Sequence, residues 1–202
     1  MISSAAKVEL RFMLNQALRF LIDTAFGFVV YAALLRFIMQ WLRAPFRNPI
    51  GQAVTALTDW AVKPLRKLLP GFGGYDWASL FFAWLGQVLW LAALASLGGA
   101  EFSGTLAGYL LSLAVIELLK ASLWILIGAV FIQAILSWVA PDGPLAGVLN
   151  ALTFRVLAPI RRVIPPLGGS LDLSPLIVIV LAQLALILPV AWLEQSLARL
   201  FQ

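Results

Sequence analysis

Long apolar stretches dominate this chain, in which 62% of the 202 residues are hydrophobic and 11% are charged. Lipid offers the backbone no hydrogen-bond partner, so a segment that crosses a bilayer must be a helix or part of a closed barrel. About 20 apolar residues in a helix are enough to cross the hydrocarbon layer. The sequence therefore predicts an all-α membrane protein with about four transmembrane helices, at 18–42, 77–97, 106–139 and 175–193.

The polar segments between these helices contain an internal duplication. The block from Pro64 to Gly74 returns as the block from Pro159 to Gly169, with two prolines, two basic residues and a glycine pair in register. In both copies a long apolar run follows. We therefore expect two parallel repeats, each with two spans and a polar loop between them.

The duplication sets the domain boundaries. They are 1–17 for an N-terminal segment that can form an interfacial helix, 18–97 for the first repeat with its polar loop at 43–76, 98–105 for a short outer loop, and 106–202 for the second repeat with its polar loop at 140–174. The third span, 106–139, is long enough for one helix or two. Two basic loops on one side of a membrane must be separated by an even number of crossings, which favours one.

Each polar loop shows the three- and four-residue spacing of an amphipathic helix. We expect this helix to lie in the headgroup boundary, with its apolar stripe toward the acyl chains. Pro64 and Pro159 are expected to kink or restart it, and the glycine pairs to turn the chain back into the bilayer. The two stripes are Ile50, Val54, Leu57, Ala61, Leu65 and Leu68, and Leu145, Leu149, Leu152, Val156, Ile160 and Val163.

Basic residues concentrate in the polar loops, and 14 Lys and Arg outnumber 9 Asp and Glu. Short basic loops favour the cytoplasmic side, so both loops are predicted to be cytoplasmic and both termini to lie outside. The expected partners are anionic lipid headgroups and other membrane proteins, not nucleic acid. The predicted contacts are Arg47, Arg66, Lys67, Arg155, Arg161 and Arg162.

The chain has no Cys and no His. It therefore lacks a thiolate nucleophile, the commonest metal ligand and the commonest general base. It also lacks a phosphate-binding P-loop, a dinucleotide-binding fingerprint and a zinc signature. We expect no catalytic residue, no metal, no cofactor and no enzyme activity.

Several residues near the ends of the spans form a pattern across both copies. In the first copy they are Arg36, Gln40, Trp41, Asn48, Pro49, Pro64, Leu65, Arg66 and Pro70; in the second they are Ser137, Trp138, Pro144, Thr153, Pro159, Ile160, Arg161, Arg162, Pro165, Gly168, Gly169, Asp172, Leu173, Ser174 and Pro175. This pattern resembles the YggT family of small bacterial and plastid membrane proteins. The resemblance implies a multi-pass protein of the bacterial cytoplasmic membrane, connected with cell division, the assembly of membrane complexes or osmotic stress.

A polar corner follows the second glycine pair and is formed by Gly168, Gly169, Asp172, Ser174 and Pro175. Asp172 or Ser174 is expected to cap the fourth span, with Pro175 in its first turn. A contact to a cation or a partner is the alternative. The first copy reads Tyr75-Asp76-Trp77-Ala78-Ser79 at this point. Because this departs from the corner, we expect the second repeat to carry the function.

Polar residues inside the spans need partners or water, since a charge at the bilayer centre costs about 2.5 to 3.5 kcal/mol. Aligning the copies through Trp41 and Trp138 places Asp23 opposite Lys120, and we predict an ion pair between them. The alternatives are that each side chain reaches headgroups or water separately, or that Lys120 pairs with Glu117 three residues away.

Other polar residues receive weaker assignments. Gln87 and Gln183 fall at matching positions and can hydrogen-bond across a helix interface, or each can remain a lone polar residue. Arg36 is expected to extend toward the cytoplasmic surface. Thr58, Asp59 and Thr153 are expected to be solvated.

Two functions fit these features. The first is a non-enzymatic membrane scaffold or assembly factor whose basic loops hold anionic lipid. The second is a small channel or transporter subunit with a path lined by Asp23, Lys120, Gln87 and Gln183. The second needs an oligomer or helices broken at the midplane. The sequence leaves a homo-oligomer open, and the breaks at the loop edge favour the scaffold.

Overall fold

The computed structural model describes residues 4–141, 143–164 and 172–201, and this part of the chain consists of helices joined by loops, without a β-strand. A five-residue π-helical segment, Leu186–Val190, joins the last two helices. The helices are α1 (Ser4–Trp41), α2 (Pro49–Leu68), α3 (Trp77–Leu97), α4 (Gly104–Val139), α5 (Ala146–Val163), α6 (Ser174–Ala185) and α7 (Ala191–Leu200). The predicted all-α class is confirmed.

Four helical stretches are long and apolar enough to cross a membrane: Arg11–Trp41, Trp77–Leu97, Gly104–Val139 and Ser174–Leu200. The third is one unbroken helix, α4, as the even number of crossings required. Four crossings place the polar loops on the same side of the bundle. The two loops also touch there, because a Cβ on Gly147 would lie 3.7 Å from the Pro45 ring.

Tight packing within the first repeat depends on small residues between α1 and α3. Gly27 faces the ring of Trp90, and Gly86 faces Val30, where an added Cβ would lie 3.0 Å from a methyl carbon. Val30, with Ala33 and neighbouring apolar side chains, forms a buried cluster that reaches across to α4.

The loop helices α2 and α5 pack against protein, so the predicted placement of their whole apolar stripes in the headgroup boundary is wrong. Val54 and Ala61 of α2 and Leu149 and Leu152 of α5 are buried within the bundle. Leu68, Val156 and Val163 of the stripes are exposed. The physical reason is that the same face of each loop helix also carries a buried threonine, Thr58 in α2 and Thr153 in α5. A buried polar side chain needs a hydrogen-bond partner, and side chains of the spans provide one.

Neither helix restarts at its internal proline. Both α2 and α5 continue through Pro64 and Pro159 to their basic pairs. Both prolines are exposed, so the ring lies on the outer face, in the last two turns of its helix. The first glycine pair makes the predicted turn, with φ of 67° at Gly73 and 83° at Gly74, a region that favours glycine. Gly168 and Gly169 lie outside the described residues.

We predict that Gly86→Leu destabilises the first repeat, because the larger side chain must displace Val30. Overpacking of this kind costs about 1 to 3 kcal/mol. Thermal unfolding in detergent measures the effect. The matched control is Gly128→Leu on α4, where no atom lies within 4 Å of an added Cβ. Equal unfolding temperatures for the two variants would contradict the packing described.

Candidate functional site

The carboxylate of Asp76 is the centre of a polar cluster at the loop end of the first repeat. Asp76 is only 2% exposed and caps α3, where its oxygens accept hydrogen bonds from the backbone nitrogen of Ser79 at 3.4 Å and from its hydroxyl at 2.5 Å. Arg66, in the last turn of α2, donates to the same carboxylate through Nε at 3.2 Å and Nη2 at 2.5 Å. This forked contact ties the end of α2 to the start of α3.

Arg36 links α1 to the same cluster. Its Nη1 donates to Thr58 Oγ1 at 2.7 Å and to Asp59 Oδ1 at 2.8 Å, and its Nε lies 3.7 Å from Asp76 Oδ2. Lys63 pairs with the other oxygen of Asp59 at 2.8 Å. We call this cluster of Arg36, Thr58, Asp59, Arg66, Asp76 and Ser79 the first brace. It joins three helices through hydrogen bonds and charge.

The first brace corrects two expectations. Arg36 does not extend to the surface, since it is 4% exposed, and Thr58 is fully buried instead of solvated. A buried guanidinium needs counter-charges within a few ångströms, and two carboxylates from neighbouring helices supply them. The Thr58 hydroxyl in turn donates a hydrogen bond to the Val54 carbonyl oxygen at 2.6 Å. Asp59 is half-buried and paired.

The second repeat contains two related contacts, which we together call the second brace: an uncharged one between Gln133 and Thr153, and a charged one among Arg161, Asp172 and Ser174. Arg161 contacts Asp172 Oδ2 through Nε and Nη2, both at 2.8 Å. Asp172 Oδ1 accepts from the backbone nitrogen of Ser174, the first residue of α6, at 2.9 Å, and Pro175 lies in the first turn; the N-cap position itself is Leu173, whose side chain makes no capping hydrogen bond. Thr153, predicted to be solvated, is fully buried against Gln133.

The comparison of the two braces overturns the expectation that the first repeat lacks the polar corner. Asp76 does in the first repeat what Asp172 does in the second, and it is more deeply buried: its side chain is 2% exposed against 27% for Asp172. The sequence does not show this equivalence, because the spacing from aspartate to serine differs between the copies: three residues from Asp76 to Ser79, and two from Asp172 to Ser174.

The braces set the charge state of their carboxylates. Burial raises the pKa of Asp76, but the hydrogen bonds from Arg66 and Ser79 outweigh it, and the pKa lies below the ordinary 3.8. Burial opposes the contacts of Asp172 in the same way, and its pKa is also lowered. The Lys63 hydrogen bond and then that of Arg36 lower the pKa of Asp59. The three aspartates are therefore ionised at neutral pH.

The six predicted headgroup contacts fall into two groups. Arg66 and Arg161 hold the braces. Arg47, Lys67, Arg155 and Arg162 are exposed, and none of them forms a salt bridge within residues 4–141, 143–164 and 172–201. Together with Arg43, which is exposed in the turn that follows α1, these four form the basic surface of the loop side. Exposed Trp41, Trp60, Trp77 and Trp138 lie on the segments that carry or flank it.

The predicted pair of Asp23 with Lys120 is not formed. Asp23 accepts from Trp90 Nε1 at 2.8 Å and lies 3.9 Å from Arg19, one turn away. Lys120 pairs with Glu117 at 2.9 Å, which was the alternative expected from the sequence, and also with Glu194 of α7 at 2.7 Å. A second partner carboxylate thus comes from the fourth span, in the same repeat as Lys120.

The glutamines do not form the predicted hydrogen bond with each other in the described part of the chain. Gln87 is 5% exposed within the bundle, and Gln183 is half-buried on α6. Among the described residues, no three side chains of the His, Cys, Asp and Glu types are placed to hold a metal ion. Sequence reasoning also missed Gln40, whose Oε1 lies 3.4 Å from Arg66 Nη2, although the family pattern contains it.

A bundle of four membrane-length helices, built twice from span, loop helix and span, defines a two-repeat helical membrane protein. The family model described as CCB3/YggT matches residues 15–97 and 112–193, one match in each repeat. The chain belongs to this family.

Curated relatives share much of the chain. A protein of Vibrio alginolyticus called "Uncharacterized protein in proC 3'region" is 38% identical over 84% of this chain and 91% of its own length. An uncharacterized protein of Pseudomonas aeruginosa is 38% identical over 81% of this chain and 83% of its own length. "Uncharacterized protein YggT" of Escherichia coli K12 is 35% identical over 81% of this chain and 84% of its own length. No solved structure matches the chain significantly.

We predict that Asp76→Asn destabilises the protein more than Asp172→Asn. The first substitution removes the carboxylate that Arg66 contacts and leaves Arg36 with Asp59 alone, at a cost on the order of 3 kcal/mol. Asp172 is more exposed, so water can replace part of its contact with Arg161. Unfolding temperatures of the two variants in one detergent give the comparison. An equal loss in both, or a larger loss for Asp172→Asn, would contradict the ranking of the braces.

We also predict a pH dependence. Because the folded pKa of Asp76 lies below its ordinary value of 3.8, its ionised form stabilises the fold fully above that pH, and this stabilisation is lost as the pH falls through the lower folded pKa. Unfolding temperatures of the wild type should hold between pH 7 and 5 and fall below about 4. In Asp76→Asn the fall should be shallower. Parallel curves for both proteins would show that Asp76 contributes nothing to it.

Proposed function

We propose that this chain is a non-enzymatic membrane scaffold or assembly factor that holds anionic lipid, and a partner membrane protein, with the loops on one side of the bundle. Both loops face the cytoplasm under the positive-inside rule. The observation that carries the proposal is the basic surface. All five of its cations lie on the loops or loop helices, which the braces fix at the same end of the bundle.

The division of the basic residues supports this role. Arg66 and Arg161 stabilise the loop helices, whereas Lys67 and Arg162, the next residue in each copy, are exposed. Each cation near an anionic membrane surface contributes about 1 kcal/mol of attraction. The exposed tryptophans on these segments suit the headgroup level, where one edge of the ring is apolar and the other polar. Cell division, complex assembly and osmotic stress, which the resemblance implied, stay predictions.

One observation favours the second candidate, a small channel or transporter subunit. The π-helical segment Leu186–Val190 contains Pro189 and interrupts the fourth span. It begins 12 residues after Ser174, about 18 Å along the helix and close to the middle of a layer roughly 30 Å thick. This break, at Pro189, lies away from the loop edge, where the sequence pattern predicts all the breaks. The Lys120 and Glu194 pair follows one turn later.

We predict that a photoreactive amino acid at Lys67 forms a discrete adduct with a membrane protein in cells, because the basic surface is exposed beside the bilayer. The matched control is the same amino acid at Arg199, in the last turn of α7 at the opposite end of the bundle. Mass spectrometry of the purified adducts identifies the partner. Absence of any discrete adduct from Lys67, or the same adducts from both positions, would contradict the scaffold.

Flux measurements in proteoliposomes separate the two candidates. We expect wild-type protein to pass protons and potassium no faster than protein-free vesicles do, since polar residues in the spans are few. Flux that Lys120→Gln or Glu194→Gln abolishes would instead establish the second candidate. Arg199→Gln serves as the control for a change of charge alone.

A further inference from the structure

A crevice separates the two repeats on the membrane-facing surface near the loop side. One lobe, of 570 Å³, lies among α1, α3 and α4, and the other, of 280 Å³, lies among α1, α4 and α5. Phe37, Leu119 and Ser122 line both lobes, so the two adjoin. The crevice is therefore forked, with Phe37 of α1 between its branches.

The walls of the crevice are apolar along most of their length. The only hydroxyl that lines both lobes belongs to Ser122, and it donates to the Leu118 carbonyl at 2.8 Å. A bilayer fills such a space with acyl chains, because no water is present to fill it and an empty space loses its dispersion contacts.

One end of the crevice is polar. Arg155 of α5 lines the smaller lobe beside Trp41, and its guanidinium forms no salt bridge within the described ranges. Trp77 lines the larger lobe at the start of α3, so an exposed tryptophan of the loop end stands in each lobe. A cation at the headgroup level and two apolar branches below it complement an anionic lipid with two chains.

We propose that one anionic diacyl phospholipid binds between the repeats, with its phosphate on Arg155 and its chains on either side of Phe37. This site rests on the lipid-holding part of the proposed function and makes it specific. The basic surface attracts many headgroups, whereas the crevice selects one lipid and places it where α1 of the first repeat faces α4 and α5 of the second. The bound lipid then forms part of the contact between the repeats.

Native mass spectrometry tests the site on protein reconstituted in vesicles of phosphatidylglycerol and phosphatidylethanolamine and extracted in mild detergent. We expect one retained phosphatidylglycerol per chain. Arg155→Gln should lower that fraction roughly fivefold, the effect of one cation near the headgroup. Ser122→Phe, which fills the junction of the lobes, should lower retention of both lipids. Arg199→Gln, at the opposite end, should change neither.

A second measurement does not depend on the variants folding. Phosphatidylglycerol with a photoreactive group halfway along one chain should label wild-type peptides that contain Phe37, Leu119 or Ser122. Labels spread evenly over the four spans would overturn the site. So would equal losses of phosphatidylglycerol in Arg155→Gln and in the paired variant Lys67→Gln/Arg162→Gln. The scaffold is judged separately, by the Lys67 adduct, so the two proposals can fail independently.

Discussion

The ion pairs between arginine and aspartate at the loop side hold the rest of the architecture in place. A loop helix such as α2 does not cross the bilayer, so the hydrophobic constraint that fixes a span does not fix it. Its position depends on the apolar side chains that it buries in the bundle, on Arg66, which binds the carboxylate that caps α3, and on Arg36, which reaches it from α1. Removal of one partner would leave a buried charge unpaired, and that penalty is what makes the arrangement specific.

Both repeats attach their loop helix to the spans through side chains at matching positions, but the charges of these side chains differ. Alignment of the loop helices through Pro64 and Pro159 places Thr58 at Thr153 and Asp59 at Phe154. Gln133 occupies the position of Arg36, so the second repeat lacks both this cation and the Asp59 carboxylate that Arg36 contacts in the first. The forked contact of Arg161 with Asp172 remains. The repeated element is therefore the bond from loop helix to span, and the link to the preceding span is ionic in one copy and neutral in the other.

Apolar length and the duplicated block were enough to predict four spans, one unbroken α4 and two loop helices, since these depend on local composition and period. The partners of the polar residues were harder. Register between copies placed Asp23 opposite Lys120, but pairing depends on which helices pack together, and Lys120 meets Glu194 from its own repeat. Arg36 was expected to extend outward because the sequence does not show that Asp59 and Asp76 converge on it. The buried face of α2 was missed because threonine and aspartate carry part of it.

The helices pack more closely within the first repeat than between the repeats, because the side chains at the two contacts differ in size. Gly27 and Gly86 let α1 and α3 approach closely, so the first repeat closes on itself. Phe37 and Leu119 stand instead where α1 faces α4, and both line the crevice. Bulky side chains there keep part of the contact between repeats open toward lipid. The braces act within each repeat, so nothing in them closes this gap. In the proposed complex the bound lipid supplies the missing packing, and Arg155 provides the preference for a negatively charged headgroup.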